Sequence, residues 1–218
     1  MRNLPLDSVL RDGATLLCLG AHSDDIEIGC GGTLLKLLDR HPGVHVRWVV
    51  FGADEERAGE AKESAAAFLA GVKSFEVTIK AFRNAYFPSQ ADRIKDDLEI
   101  LKREVEPDLI FTHYENDLHQ DHRVISQLTW NTFRSHLILE YEIPKYDGDL
   151  GRPNVFSCLE EAHCQRKIDI IRECFGSQRD KQWFDADLFR AILRLRGMES
   201  NSPTRFAEAF HCRKLVLG

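Results

Sequence analysis

Short apolar runs alternate with longer segments of helical periodicity through the first two thirds of this chain. Apolar residues occupy both faces of most of these runs, which is typical of strands buried on both sides in a parallel sheet. The predicted strands cover residues 15–20, 44–51, 74–80, 109–112 and 137–143. The predicted helices between them cover residues 33–40, 55–69, 92–105 and 123–133. This alternation predicts an α/β fold with a doubly wound, mostly parallel sheet and helices on both faces.

The pattern loosens beyond Pro144, where a Gly- and Asp-rich stretch precedes a short apolar run near Val155 and helical segments at 162–174 and 185–196. The chain has 218 residues and 43% hydrophobic content, which is enough to bury one full core. We therefore expect a single domain over 1–218, with a Rossmann-like core over 12–143 and a C-terminal extension over 144–218. The extension is the part best placed to close over a ligand at the strand ends.

Charge and composition narrow the classes of partner and the compartment. The net charge is -6 and the basic residues are scattered, so the sequence argues against a nucleic-acid partner. We find no apolar segment of membrane-spanning length and no signal peptide at the N-terminus. The six cysteines contain no C-x-x-C pair and are expected to be reduced packing residues. These features favour a cytoplasmic protein with a small-molecule partner, and they leave homo-oligomerisation open.

Two polar clusters follow two of the predicted strands. His22-Ser23-Asp24-Asp25 comes after the first strand, and His119-Gln120-Asp121-His122 comes after the fourth. Either cluster alone is compatible with a buried histidine and helix-capping carboxylates. In doubly wound sheets, however, ligands bind at the carboxyl ends of strands where the strand order reverses. Imidazole nitrogen and carboxylate oxygen suit zinc or another divalent first-row metal, so the two clusters together predict a metal-dependent catalytic site.

The clusters resemble the motifs of the PIG-L/LmbE-like de-N-acetylase family. Ala21-His22-Ser23-Asp24-Asp25 is similar to the family's His-Pro-Asp-Asp motif, and Asp117-Leu118-His119-Gln120-Asp121-His122 is similar to its His-Pro-Asp-His motif with a preceding Asp. Ser23 and Gln120 replace the two motif prolines, which shape the backbone and supply no ligand. Other similar segments lie at 29–34, 57–61, 106–111, 177–178, 196–197 and 206–210.

The resemblance implies a zinc-dependent N-deacetylase that hydrolyses the acetamide of an N-acetylated amino sugar, or of its conjugate, to a free amine and acetate. The implied metal ligands are His22, Asp25 and His122. The implied catalytic residues are Asp24 as general base, His119 as the group that stabilises the oxyanion, and Asp121 as the residue that orients an imidazole. The residues expected to hold the substrate are Arg57, Asp117 and Arg123.

Two other functions stay open on the sequence. One is an amidase that removes a larger acyl group from a sugar conjugate, and release of a bulkier acid would reveal it. The other is a non-catalytic module that binds a sugar or nucleotide, although no intact G-x-G-x-x-G turn follows the first strand. The sequence does not decide the substrate, the native metal, or the roles of His113, Glu208 and His211.

Overall fold

Strands and helices alternate along the chain in a computed structural model that describes residues 3–6 and 9–216. The strands in these residues are Thr15–Gly20 (β1), His45–Val50 (β2), Ser74–Ile79 (β3), Leu109–His113 (β4), Leu137–Tyr141 (β5), Val155–Leu159 (β6) and Phe206–His211 (β7). The α-helices are Asp25–Arg40 (α1), Glu55–Phe68 (α2), Ala91–Glu104 (α3), Gln120–Thr132 (α4), Glu161–Cys174 (α5) and Ala186–Glu199 (α6). Short 3-10 turns cover Phe87–Gln90 and Gly176–Gln178.

All seven strands form one sheet in the order β3-β2-β1-β4-β5-β7-β6. Neighbours from β3 to β5 are parallel, and β7 is antiparallel to both β5 and β6. Successive residues of β1 point to opposite cores, with Leu16 packed among residues of α1, α2 and α5 and Leu17 packed among residues of α3 and α4. Both faces are therefore covered by helices, and the predicted doubly wound, mostly parallel fold is confirmed.

Helix α1 begins eight residues before the predicted helix, at Asp25 rather than at residue 33. The prediction was wrong because the glycines at 29, 31 and 32 were taken as a lead into the helix, whereas they lie inside it. A Cβ at Gly29 would overlap the ring of Tyr141, and one at Gly31 would lie 2.8 Å from Phe68. Glycine thus lets the helix pack close to the sheet, and Asp25 lies in its first turn.

The C-terminal extension contributes two strands and two helices to the same layers as the core. The sequence pattern predicted a short strand near Val155, but it did not predict β7, which lies between β5 and β6. Within β7, Glu208 is a buried carboxylate that accepts hydrogen bonds from Gly32 N–H and Thr33 N–H and pairs with Lys167 at 2.6 Å. In the described part of the chain, no helix is both long and apolar enough to cross a membrane.

Candidate active site

The two predicted clusters meet at the carboxyl ends of β1 and β4, which are neighbours in the sheet. From β1 the chain passes through His22 into α1 on one face of the sheet, and from β4 it passes into α4 on the other face. The carboxyl ends of β1 and β4 therefore form the switch point at which doubly wound folds bind ligands. Helix α4 starts at Gln120 rather than at the predicted residue 123, which places His122 in its first turn.

His22, Asp25 and His122 present their donor atoms to one another. His22 Nδ1 lies 3.1 Å from His122 Nε2. The Asp25 carboxylate lies 3.4 Å from His22 Nδ1 through Oδ2 and 3.5 Å from His122 Nε2 through Oδ1. Two donors that each bind a tetrahedral zinc at about 2.0–2.1 Å are about 3.3 Å apart. The three predicted ligands fall into two overlapping groups that share His122, and the donor atoms within each group lie within 4.8 Å of one another, as ligands of one cation would. These groups are His22 with His119 and His122, and Asp25 with His113 and His122.

The outer nitrogens of both imidazoles contact carboxylates. His22 Nε2 lies 3.2 Å from Asp121 Oδ2, and His122 Nδ1 lies 2.9 Å from Asp117 Oδ2. A carboxylate accepts, so each of these nitrogens carries the hydrogen, which we assign from the hydrogen-bond network. His22 Nδ1 and His122 Nε2 then face each other, and two such nitrogens approach closely only with a proton or a cation between them. This donor set fits a divalent metal.

Burial and neighbouring charges shift the pKa values of these groups in opposite directions. Burial lowers the pKa of His22, but the carboxylates of Asp25, Asp121 and Asp24 outweigh it and raise that pKa to about 10. Burial, together with the electrostatic effect of the neighbouring His113, lowers the pKa of His122 to about 3. The pKa of Asp25 lies well below its ordinary value, because the three neighbouring histidines outweigh the effect of burial. The pocket thus favours an ionised Asp25 and a neutral His122.

Asp24 and Arg57 form an ion pair beside the predicted metal ligands. Asp24 is the residue before α1, is buried, and makes no side-chain hydrogen bond to the helix N-terminus. Its Oδ1 lies 2.9 Å from Arg57 Nη2, on the first turn of α2. Burial raises the pKa of Asp24, and the guanidinium of Arg57 opposes that rise. Arg57, which was expected to hold the substrate, therefore contacts the predicted general base.

Asp121 connects the site both to the loop after β3 and to His119. Asp121 is fully buried and accepts hydrogen bonds from Ala85 N–H at 2.6 Å and Phe87 N–H at 3.0 Å, in addition to its contact with His22. His119 precedes α4, and its Nδ1 accepts from Asp121 N–H at 3.2 Å. Burial and the charge of His22 lower the pKa of His119. A neutral His119 with Nδ1 accepting must carry its hydrogen on Nε2, which is then a donor.

The residues expected to hold the substrate lie instead within the protein's own hydrogen-bond network. Asp117 is buried, and its Oδ1 accepts from His119 N–H at 2.8 Å while its Oδ2 contacts His122. Arg123 Nη1 donates to the backbone carbonyls of Asp117 and Leu118. Both residues therefore fix the loop that precedes α4.

Three residues left open by the sequence lie close to the site or behind it. His113 is fully buried at the end of β4, where its Nε2 accepts from Ala21 N–H at 2.9 Å, and it forms with Asp25 and His122 one of the groups that could hold a cation. His211 stacks on Tyr114 with ring centroids 3.6 Å apart. Glu208 contacts α1 and Lys167 as described above. The sequence signal for the placement of His113 was its position at the end of the predicted fourth strand.

A protein-family model described as PIG-L, GlcNAc-PI de-N-acetylase, matches residues 17–133, which is just over half of the chain. The chain belongs to the PIG-L family. It is 27% identical over 188 residues to the uncharacterized deacetylase YaiS of Escherichia coli K12, and the match covers 77% of this chain and 96% of YaiS. The two predicted motifs fall inside the matched segment, so the family was recognisable from them.

Solved structures share the fold of this PIG-L family member. N,N'-diacetylchitobiose deacetylase from Pyrococcus horikoshii superposes with a TM-score of 0.70 at 24% identity, covering 95% of this chain and 86% of the enzyme. GalB, a 4-carboxy-2-hydroxymuconate hydratase from Pseudomonas putida, superposes with a TM-score of 0.75 at 16% identity, covering 94% of this chain and 98% of GalB. The same fold thus carries a deacetylase and a hydratase, so the reaction must be argued from the site.

Proposed function

We propose that this protein is a metal-dependent N-deacetylase that hydrolyses the acetamide of an N-acetylated amino sugar or its conjugate. The observation that carries the proposal is the approach of His22 Nδ1 and His122 Nε2 to 3.1 Å beside Asp25, with the Asp24 carboxylate next to them. A binding module needs no such base. Membership of the PIG-L family and the similarity to YaiS support amide hydrolysis over the hydration that GalB carries out.

His22, Asp25 and His122 would hold the metal, with zinc favoured because two nitrogens and one carboxylate suit its coordination. When bound, the metal supplies a Lewis acid that activates water and polarises the amide carbonyl. The chain's own part is to present these three donors in one orientation. Asp121 and Asp117 do this for the two histidines, because each carboxylate fixes the hydrogen on the outer ring nitrogen.

Asp24 and His119 would move the proton and stabilise the negative charge that forms during hydrolysis. Asp24 accepts the proton of the attacking water and later returns it to the departing amine, while Arg57 keeps the carboxylate ionised. His119 donates from Nε2 to the oxyanion, and it can do so as a neutral imidazole because its Nδ1 accepts from Asp121 N–H. The general base and the oxyanion donor thus come from the two different clusters.

A panel of acetamido sugars tests the proposal. Purified protein loaded with zinc is incubated with N-acetylglucosamine, with its glycosides and with the matching N-butyryl compounds, and the released acid is quantified. We expect acetate from at least one acetamido sugar. Release only of the longer acid would favour the alternative amidase, and no release across the panel would contradict the proposed function.

The variant Asp24→Asn serves as the matched control for the panel. Asparagine keeps the size of the side chain but cannot accept the proton, so we expect kcat to fall by roughly 10²-fold or more while zinc content is unchanged. Activity close to that of the unmodified protein would assign the general base to another residue.

A further inference from the structure

The turn after β5 reaches the metal site from the C-terminal extension. It contains Lys145-Tyr146-Asp147-Gly148-Asp149, with Gly148 in the left-handed region at a φ of 61°. Lys145 Nζ lies 2.6 Å from both carboxylate oxygens of Asp149, so the turn is closed by its own ion pair. The side chains of Lys145 and Asp149 are only 13% and 6% exposed, although the turn itself lies at the surface.

Two contacts join this turn to the loop before α4. Lys145 Nζ lies 2.9 Å from Asp117 Oδ2, the same oxygen that contacts His122 Nδ1. In the other direction, Leu118 N–H donates to Asp149 Oδ2 at 2.5 Å. An unbroken series of polar contacts therefore runs from Asp149 through Lys145 and Asp117 to His122.

We propose that Lys145 and Asp149 are positioning residues for the metal ligand His122, acting through Asp117. The proposal rests on the proposed metal site, and it adds two residues from outside both sequence clusters. Asp117 has two oxygens and three donors: His119 N–H on Oδ1, and His122 Nδ1–H and Lys145 Nζ on Oδ2. With all three in place, the carboxylate has one orientation, and the imidazole ring of His122 is fixed by it.

Loss of Lys145 leaves the Asp117 carboxylate buried with one fewer donor and with freedom to turn. Replacing a residue that hydrogen bonds directly to a metal ligand typically weakens metal binding by about 10- to 100-fold. Because Lys145 acts one residue further away, we expect Lys145→Met to weaken zinc binding by about tenfold, at the lower end of that range. Asp117→Asn, which removes the contacting charge itself, should weaken it at least as much.

The test is a double-mutant cycle read out by zinc affinity alone. Dissociation constants for Zn²⁺ are measured by competition with a chromophoric chelator for the unmodified protein, Lys145→Met, Asp117→Asn and the double variant. If Lys145 acts through Asp117, adding Lys145→Met to Asp117→Asn changes the affinity little further. Unchanged affinity in Lys145→Met, or losses that add in the double variant, would overturn the proposal.

Lys36→Met is the matched control, because Lys36 also forms hydrogen bonds inside the protein but lies away from the site. Its Nζ donates to Ser157 Oγ and to the carbonyl of Cys158, so its loss should leave zinc affinity unchanged. If Lys145→Met does not fold, Asp149→Asn replaces it, and a weakening of the same sign is expected; unchanged affinity there would equally overturn the proposal. No substrate is used, so a protein that shows this pattern but releases no acetate contradicts only the proposed function.

Discussion

At the scale of single residues, charge placement decides what each side chain of the site can do. Asp24 and Asp25 are adjacent in sequence and both are buried, yet the pKa of Asp24 is raised by burial while three histidines hold the pKa of Asp25 well below its ordinary value. One carboxylate is thus prepared to take up a proton and the other to stay ionised. The two residues look alike in the sequence, because two of the three histidines that separate their behaviour, His113 and His122, come from β4 and α4.

The first prediction concerns Arg57, which contacts Asp24 rather than open solvent. Removing the guanidinium in Arg57→Met leaves burial unopposed and raises the pKa of Asp24 further, so less of the base is ionised at a given pH. We expect kcat to fall by about tenfold near neutral pH, and the acidic limb of the rate profile to move to higher pH. Profiles of kcat against pH for Arg57→Met and Arg57→Lys check this. A raised KM with unchanged kcat would instead indicate a substrate contact.

The second prediction concerns His211, outside the proposed ligand set. Burial, with a smaller effect from the charge of Arg196, lowers the pKa of His211 to about 4. The unfolded imidazole, with a pKa of about 6.5, binds a proton more readily, so the folded state loses stability as pH falls through this interval. His211→Gln should lose less stability than the unmodified protein between about pH 7 and about pH 5. Urea unfolding midpoints at the two pH values measure the difference, and equal losses in both proteins would contradict it.

At the scale of elements, helix α1 is the part that brings the first cluster to the sheet. Its glycines allow close packing on Tyr141, whose hydroxyl donates to the carbonyl of Leu19 in β1 at 2.7 Å. Periodicity could predict the leucines of the second half of α1, but not the first half, because a run rich in glycine has low helix propensity in isolation. Tertiary packing against Tyr141 and Phe68 overrides that propensity.

The third prediction follows from this packing. Gly29→Ala would force a methyl group against the Tyr141 ring, so we expect a loss of about 1–3 kcal/mol in the free energy of unfolding. Gly59→Ala in α2 is the control, because a Cβ there meets nothing within 4 Å and the position is exposed. It should raise stability by about 0.5–1 kcal/mol. Equal effects of the two substitutions on urea unfolding would show that helix propensity, rather than packing, governs α1.

At the scale of the whole molecule, strand order assembles the site from distant segments. His22 and His122 are separated by 100 residues and meet because β1 and β4 are neighbours. That much could be predicted from two apolar runs that each end in a polar cluster. The roles of Lys145 and Asp149 could not, because their turn follows β5 and comes to the site only through its contacts with the 117–118 loop. Long-range contacts of this kind leave no local pattern in the sequence.

The most direct test of the metal-dependent mechanism is a zinc titration of the metal-free protein, with acetate release from an active acetamido sugar as the readout. We expect the metal-free protein to be inactive and the rate to rise linearly until one zinc ion is bound per chain. His122→Ala, which removes one of the facing imidazoles, should bind zinc weakly and stay inactive at that ratio. Full acetate release by the metal-free protein, or by His122→Ala without bound zinc, would contradict the account.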